Sequence, residues 1–380
     1  MTNLLTACLL QGASVLGFHG SNQATASPEP SPLHQPSSLP SPAPRTNLAQ
    51  EGTSPDELWR QGQRLAAVDE LSRTLDPASE ADVRRLAGWQ LTIRHYEGAL
   101  ATLDRLSAPP HSARPLDRLR GEALYALTRY EEALAFLDPS DERHVLLIVD
   151  ANEALGRIEA AASALVMART VLGTGDPRLA VFEGRALARS GEHRAAVERF
   201  RVAIDTNPID QAARFGLGRS LLALGEREAG LAELEEHRRR VPLIDALDFA
   251  RQSLDLAPTH APNVAAVGDA ERALGLAQSA YEHYTDALEL ADRDQWTAIA
   301  LRAARVLEED LARAEAAWTL LAEGFDSIPD VRLAVRAGDI ALRAGRPDIA
   351  RGQYTRALAL RPDDAAIQRR LEVLEESNER

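Results

Sequence analysis

Small and large apolar residues recur along this chain at a spacing close to 34 positions. In each recurrence a small residue is followed four positions later by a large apolar residue, one helical turn further on. The pairs are Ala99/Leu103, Ala133/Leu137, Ala161/Leu165, Ala196/Phe200, Gly230/Leu234, Ala280/Tyr284, Ala314/Trp318 and Ala350/Tyr354. Successive small residues are 34, 28, 35, 34, 50, 34 and 36 positions apart. The pattern therefore predicts a protein built from repeated helical units.

Two further columns of residues divide each unit into two helices. The first column, twelve positions before the small residue of each pair, is Ala87, Gly121, Val149, Gly184, Gly218, Gly268, Arg302 and Gly338. The second column lies between the first column and the pair, at Gly156, Gly191, Gly225, Gly275 and Gly345. Glycine there can end the first helix because it adopts the left-handed conformation cheaply. Prolines at Pro208, Pro242, Pro329 and Pro362 are expected to end the second helix. Each unit is thus predicted to be a helical hairpin that buries its apolar face by stacking on its neighbours.

Three units depart from this pattern. The 28-residue step coincides with Pro139, which is expected to shorten the second helix of its unit. The 50-residue step leaves room for an extra helix near residues 243–258, where we expect the stack to change direction. A third unit carries Arg302 and Glu309 where the others have small residues or glycine, so its loop is not located by the pattern.

The coincidence of these columns resembles the tetratricopeptide repeat family. The best units run from Arg178 to Pro208, with Gly184, Gly191, Ala196, Phe200 and Ala203, and from Arg332 to Pro362, with Gly338, Gly345, Ala350, Tyr354 and Ala357. The resemblance implies an all-α fold, a right-handed α-solenoid of stacked antiparallel helical hairpins, with about eight repeats over residues 79–364. We expect one capping helix before them, over 55–78, and a capping helix and tail after them, over 365–380.

The first 54 residues differ in composition from the rest of the chain. An apolar run from Leu4 to Phe18, followed by Ala-Thr-Ala at 24–26, predicts an export segment over residues 1–26. The alternatives are a lipoprotein in which Cys8 is acylated, and an unprocessed disordered tail. Residues 27–54 are rich in proline and serine, which predicts a disordered spacer. We therefore expect an exported protein of a bacterial periplasm or envelope, with a cytoplasmic location as the alternative and membrane contact only through the N-terminus.

Composition narrows the possible functions. The chain has 43 basic residues, all arginine, and 57 acidic ones, a net charge of −14, which disfavours a nucleic-acid binder. A single cysteine rules out an internal disulfide and a cysteine zinc site. None of the nine histidines is spaced with another histidine as a metal or catalytic motif requires. We expect no catalytic residues, no metal and no cofactor.

The family resemblance implies a binding groove lined by the first helix of each unit. The residue after the first small residue of a unit would face this groove, which gives Gly88, Glu122, Asp150, Arg185, Arg219, Asp269, Ala303 and Asp339. Arginine occurs in two consecutive units, and arginine forms forked hydrogen bonds with carboxylates. The candidate site consists of Arg178, Arg185, Arg189, Phe215 and Arg219.

Two functions remain open at this point. The first is a non-catalytic scaffold that binds a protein or peptide partner, with an acidic segment or a C-terminal carboxylate, in the groove. The second is a structural subunit of an envelope assembly that acts through permanent contacts on its outer face. The second function predicts a large exposed apolar patch on that face.

Overall fold

The computed structural model describes residues 53–106 and 113–378, and within them it contains nineteen α-helices and no β-strand. The all-α prediction of stacked helical hairpins is confirmed. The export segment, with Cys8, and all but the last two residues of the spacer lie outside the described residues, and they stay predictions. None of the helices described is both long enough and apolar enough to cross a membrane.

The helices follow one another with short connections. Up to residue 206 they are α1 (Pro55–Arg60), α2 (Arg64–Thr74), α3 (Glu80–Thr92), α4 (Tyr96–Leu103), α5 (Ala113–Ala126), α6 (Tyr130–Ala133), α7 (Val145–Ala154), α8 (Ile158–Leu172), α9 (Ala180–Arg189) and α10 (His193–Thr206). They continue as α11 (Gln211–Ala223), α12 (Arg227–Leu256), α13 (Ala261–Ala273), α14 (Ala277–Leu290), α15 (Arg293–Arg305), α16 (Ala314–Ser327), α17 (Val331–Arg343), α18 (Pro347–Leu360) and α19 (Ala365–Asn378). A 3₁₀ turn, Pro177–Leu179, precedes α9, and a π-helical turn, Val306–Asp310, extends α15.

The hairpin loops turn through the left-handed region where the sequence predicted glycine. All five glycines of the second column have a positive φ, between 70° and 85°. Arg94 and Thr128 occupy the same position in two irregular units and also have a positive φ, 59° in each case. The backbone turn is therefore kept even where glycine is absent.

The large residues of the repeat fill the space between helices, as predicted. The exposed fractions of Phe200, Tyr284, Trp318 and Tyr354 are 1%, 1%, 8% and 0%. A methyl group added at Gly184 would lie 2.7 Å from the Phe200 ring. Each glycine of the first column thus lies against the large residue of its own hairpin.

The N-terminal capping segment is two helices where the sequence predicted one. Helix α1 ends at Arg60, and Gly62 then turns the chain with a φ of 78° before α2 begins. Trp59 of α1 stacks on Trp89 of α3, with ring centroids 4.5 Å apart. The two short helices can therefore fold over α3, which a single straight helix could not do.

The prediction that Pro242 ends a helix is wrong, and there is no separate helix over residues 243–258. Pro242 lies inside α12, a continuous helix of 30 residues. A proline inside a helix removes a backbone hydrogen bond and costs about 3 kcal/mol or more. Downstream of it, Ile244 and Leu247 are buried in one cluster with Val267 of α13. Burial of this apolar surface offsets the cost of the proline, so the extra residues lengthen an existing helix.

The other irregular units also have definite structures. Helix α6 has only four residues, which confirms the shortened second helix before Pro139. In the unit that lacks both glycines, α15 runs on into the π-helical turn, and Ala312 takes the left-handed conformation with a φ of 54°. The loop therefore lies three residues after Glu309, where the repeat pattern would place it.

The hairpins stack so that first helices contact first helices. Contacts of this kind join α3 to α5, α9 to α11, α13 to α15, and α15 to α17. Neighbouring units thus contact each other through their first helices, and we call the side of the stack that these helices form the inner side. Four residues of the candidate site, Arg185, Arg189, Phe215 and Arg219, belong to the first helices α9 and α11.

Candidate protein-binding face

Arg178 is bound to its own turn. It lies in the 3₁₀ turn before α9, where its Nε and Nη2 donate to the two carboxylate oxygens of Asp176 at 2.9 and 2.7 Å. These hydrogen bonds hold the pKa of Asp176 below its usual value. Asp176 also accepts the backbone N–H of Arg178 and so caps the turn. Arg178 therefore shapes the start of the helix, and the structure does not bring it together with the other predicted site residues.

Arg185 and Arg189 pair with carboxylates of the preceding unit, which the sequence analysis did not predict. Arg185 lies 3.0 Å from Asp150 and 3.2 Å from Glu153, both on α7. Arg189 Nη2 donates a hydrogen bond to the other carboxylate oxygen of Glu153. The Tyr125 hydroxyl donates to the other oxygen of Asp150 at 2.7 Å. Both guanidinium groups therefore already have carboxylate partners within the protein.

Equivalent pairs occur further along the inner side. Asp269 accepts from Tyr284 at 2.7 Å and from Arg302 of the next unit at 2.9 Å. Asp339 accepts from Tyr354 at 2.8 Å and from Arg370 of α19 at 3.1 Å. We call the pairs Asp150–Arg185, Asp269–Arg302 and Asp339–Arg370 the ion-pair ladder. Each pair of the ladder neutralises a carboxylate on the inner side, and it joins a first helix to the following unit.

Sequence reasoning identified the carboxylates of the ladder but missed their pairing. In all three pairs the arginine follows the carboxylate by close to one repeat length, at 35, 33 and 31 positions. This spacing is the signal that could have revealed the ladder. It is weak on its own, because arginine is the only cation of this chain apart from histidine and the N-terminus.

The ladder is interrupted at α11. Arg219 is exposed and forms no ion pair with any residue in the described part of the chain. Its guanidinium lies 5.8 Å from the centroid of the Phe215 ring. Phe215 and Leu222, one turn away on either side, are 38% and 36% exposed. We call Phe215, Arg219 and Leu222 the α11 face.

Neighbouring residues position the α11 face through a ring contact and a helix cap. Phe215 contacts His237 of α12, with ring centroids 5.4 Å apart. Asp210 caps the first turn of α11 by accepting the backbone N–H of Ala213 at 2.8 Å. Burial raises the pKa of Asp210, and the charge of Arg185 opposes this shift. The α11 face is thus held next to the paired arginines of α9, and it combines a forked cation with two apolar side chains.

Histidine and acidic side chains of the described residues form small polar clusters. No group of three histidine, cysteine, aspartate or glutamate side chains within the described residues could hold a metal ion. The buried His144 accepts the backbone N–H of Asp138 at 3.0 Å and lies 3.3 Å from Glu122. The buried Glu271 accepts from Ser279 at 2.8 Å and lies 2.9 Å from His283. The first cluster joins the segment before α7 to α5, and the second joins α13 to α14.

Comparison with known proteins agrees with this geometry. The tetratricopeptide repeat family model matches residues 183–243 and 335–376. The first segment includes most of α9, all of α10 and α11 and the first part of α12, and the second includes most of α17, all of α18 and most of α19. The chain therefore contains tetratricopeptide repeats in these two segments. No curated protein matches it.

Solved structures match this chain at low sequence identity and low TM-score. The tetratricopeptide repeat domain of P58(IPK) is 17% identical, over 85% of this chain and 95% of that one, with a TM-score of 0.25. A thermophilic repeat protein of Thermus thermophilus is 22% identical, over 53% of this chain and 100% of its own, with a TM-score of 0.24. A chain of the Cut9–Hcn1 hetero-tetramer of APC/C is 17% identical, over 84% of this chain, with a TM-score of 0.29, and this chain spans 59% of its length.

Proposed function

We propose that this protein is a non-catalytic scaffold that binds a protein or peptide segment on its inner, first-helix side, with the α11 face as the main contact. The observation that carries the proposal is the unpaired, exposed Arg219 between two exposed apolar side chains. At the three positions of the ladder, by contrast, an inner carboxylate is paired with an arginine.

The chemistry of the α11 face favours an acidic segment or a C-terminal carboxylate. Arginine presents two parallel N–H donors that match a carboxylate, and a guanidinium stacked on an aromatic ring loses less freedom on binding. The whole chain carries a net charge of −14, so an acidic partner would be attracted only where a cation is locally unpaired. Phe215 and Leu222 add apolar surface for a neighbouring side chain of the ligand.

Co-purification with matched variants tests this function. Proteins that co-purify with the wild type should be lost with Arg219→Glu. Their co-purification with the wild type should also weaken as salt is raised, because partly exposed charges are screened over about 8–10 Å. Arg201→Glu makes the same charge change at an exposed position of α10 and should retain them. Co-purification of the same proteins with the wild type and with Arg219→Glu would contradict the proposal.

Affinity measurements with a partner found in this way sharpen the test. Replacing Arg185 and Arg219 together with alanine should weaken binding by more than about 1 kcal/mol. Arg185→Ala removes a positive charge that pairs with the carboxylates of Asp150 and Glu153 and could therefore disturb the fold. Circular dichroism must first show that the helical content is unchanged. An unchanged affinity in the double variant would assign binding to another surface.

A second function is favoured by the outer surface of α8. Ile158, Val166 and Met167 are 44%, 60% and 40% exposed, and Ala162 between them is exposed as well. An apolar stripe of this kind suits a subunit that keeps permanent contacts in an envelope assembly. Partners lost with Val166→Asp but retained with Arg219→Glu would favour this second function.

We further propose that the protein works outside the cytoplasm. The proposal rests on the apolar run at residues 4–18 and the small residues at 24–26. Mass spectrometry of the native protein should show loss of the segment before Ser27 or acylation of Cys8. An intact, unmodified N-terminus in the cytoplasmic fraction would refute export.

A further inference from the structure

The beginning of the described chain contacts its middle. Arg64 Nη1 donates to the backbone carbonyl of Asp255 at 2.8 Å, across 191 positions of sequence. Arg94 Nε donates to the Asp255 carboxylate at 3.1 Å. The hydroxyl of Thr259 donates to the backbone carbonyl of Gln61 at 3.2 Å. We call these contacts the closure.

The closure turns the first twelve helices into a ring. Each helix from α1 to α12 packs on the next one along the chain, and α12 leads into the loop that holds Thr259. The closure then joins this loop and the end of α12 back to the N-terminal helices. Helices α13–α19 continue the stack beyond the ring.

The two sides of the closure fit each other in shape. Leu256 packs against a cluster that contains Val68, Leu71, Leu86 and Ile93. A methyl group added at Gly62 would lie 2.4 Å from the Thr259 hydroxyl. These contacts fix the position of the N-terminal helices on the end of α12.

The charges at the closure are incompletely compensated. Burial raises the pKa of Asp255, while Arg94 and Arg64 act against this shift. Burial likewise raises the pKa of Asp248, which faces Arg94 and Arg251, and the nearby Asp245 adds a like charge. Burial lowers the pKa of Arg64 despite the charge of Asp255. The attraction across the closure is thus partly cancelled by the cost of removing these groups from water.

The closure is also less apolar than the contacts within the stack. Between adjacent hairpins, fully buried side chains such as Phe200 and Tyr354 fill the interface. At the closure, Arg94 and Asp255 are 24% and 30% exposed, and Leu256 is only partly buried. Partly exposed ion pairs contribute little and are weakened by salt. We therefore expect the closure to open at a lower free energy than the interfaces that such buried side chains fill.

We propose that the closure is a latch: it opens while the hairpins on both sides stay folded, and its opening gives a bulky partner access to the inner side of the ring. The second part rests on the function proposed above for the α11 face, whereas the first part does not. In the closed state a partner chain must reach α11 within a ring of helices. In the open state the same face lies on an open arc.

A charge-reversal cycle in the full chain tests the opening. Arg94→Glu and Asp255→Arg should each increase the radius of gyration in small-angle scattering, with helical content unchanged by circular dichroism. The double variant should restore the wild-type value. Arg302→Glu, which breaks a ladder pair between adjacent units, should leave the radius unchanged. Wild-type protein should expand in the same sense between low and high salt, a comparison that needs no variant.

Two results would overturn the latch. In the first, neither reversal nor salt changes the radius of gyration. In the second, expansion is accompanied by loss of helical content, which would make the closure part of the cooperative fold.

Access to the inner side is tested separately. In a Cys8→Ser background, Arg219→Cys places a single thiol on the α11 face. The measured quantity is the rate of labelling by a polyethylene-glycol maleimide divided by the rate with a small maleimide. This ratio should rise several-fold with Arg94→Glu and should return to its original value when Asp255→Arg is added. An unchanged ratio would refute gating. The absence of Arg219-dependent partners would instead refute the proposed function and leave the measured opening as it stands.

Discussion

The hairpins α9–α10 and α5–α6 have the same repeat register but are stabilised in different ways. In α9–α10 the loop turns at Gly191, the second helix has 14 residues, and Phe200 is buried against Gly184. In α5–α6 the loop turns at Thr128, and the second helix has only four residues. The regular hairpin is held by apolar packing along two complete helices.

The irregular hairpin replaces part of that packing with polar contacts. The fully buried His144 lies just before α7, in the segment that follows the shortened second helix. It accepts the backbone N–H of Asp138 and lies 3.3 Å from Glu122 of α5. The comparison shows that stacking on neighbours fixes the path of the backbone, while the residues that stabilise that path can vary.

The largest expected effect is the loss of a repeat aromatic from the regular hairpin. Phe200→Ala should destabilise α9–α11 by about 3–5 kcal/mol, because it empties a fully buried site. Urea unfolding and hydrogen exchange in α9–α11 measure the change. Phe249→Ala removes the same side chain from a position that is 65% exposed and should stay within about 0.5 kcal/mol. Equal losses in the two variants would contradict the packing described here.

An intermediate effect should follow from filling the space that a regular hairpin leaves for its aromatic residue. Gly184→Ala places a methyl group 2.7 Å from the Phe200 ring and should cost about 1–3 kcal/mol by overpacking. Gly88→Ala is the control, since nothing lies within 4 Å of the added methyl group. It should stabilise α3 by up to about 1 kcal/mol because alanine favours helix over glycine. Thermal unfolding of both variants should therefore shift in opposite directions.

The sequence was sufficient to predict the features that depend on neighbours within one or two hairpins. The register, the left-handed loops and the burial of Tyr284 and Tyr354 all follow from spacings of at most about one repeat. The helix through Pro242 does not, because it depends on how Ile244 and Leu247 pack against α13. A local rule for proline gives the wrong result where distant burial outweighs the lost hydrogen bond.

The candidate site was predictable only in part for a related reason. The positions of Arg185 and Arg219 on the inner side follow from the repeat, but their ionic partners do not. Arg185 meets a carboxylate 35 positions earlier, and Arg219 meets none among the described residues. The closure joins residues up to 198 positions apart, and no spacing in the sequence indicates it.

The smallest expected effects come from substitutions in the hairpin loops. They test whether stability depends on the loop side chain or on the left-handed conformation of the backbone. Thr128 has a φ of 59°, a conformation that a β-branched residue adopts at a cost. Thr128→Gly should therefore stabilise the irregular hairpin, by roughly 0.5–1 kcal/mol after the greater freedom of glycine in the unfolded chain is counted. Gly191→Ala, at a φ of 85° in the regular hairpin, should destabilise it by about 1 kcal/mol. Urea unfolding midpoints that shift in opposite directions would show that both loops are held in the left-handed region by the stack. A loss of stability in Thr128→Gly would mean that the threonine side chain makes a contribution of its own to the irregular hairpin.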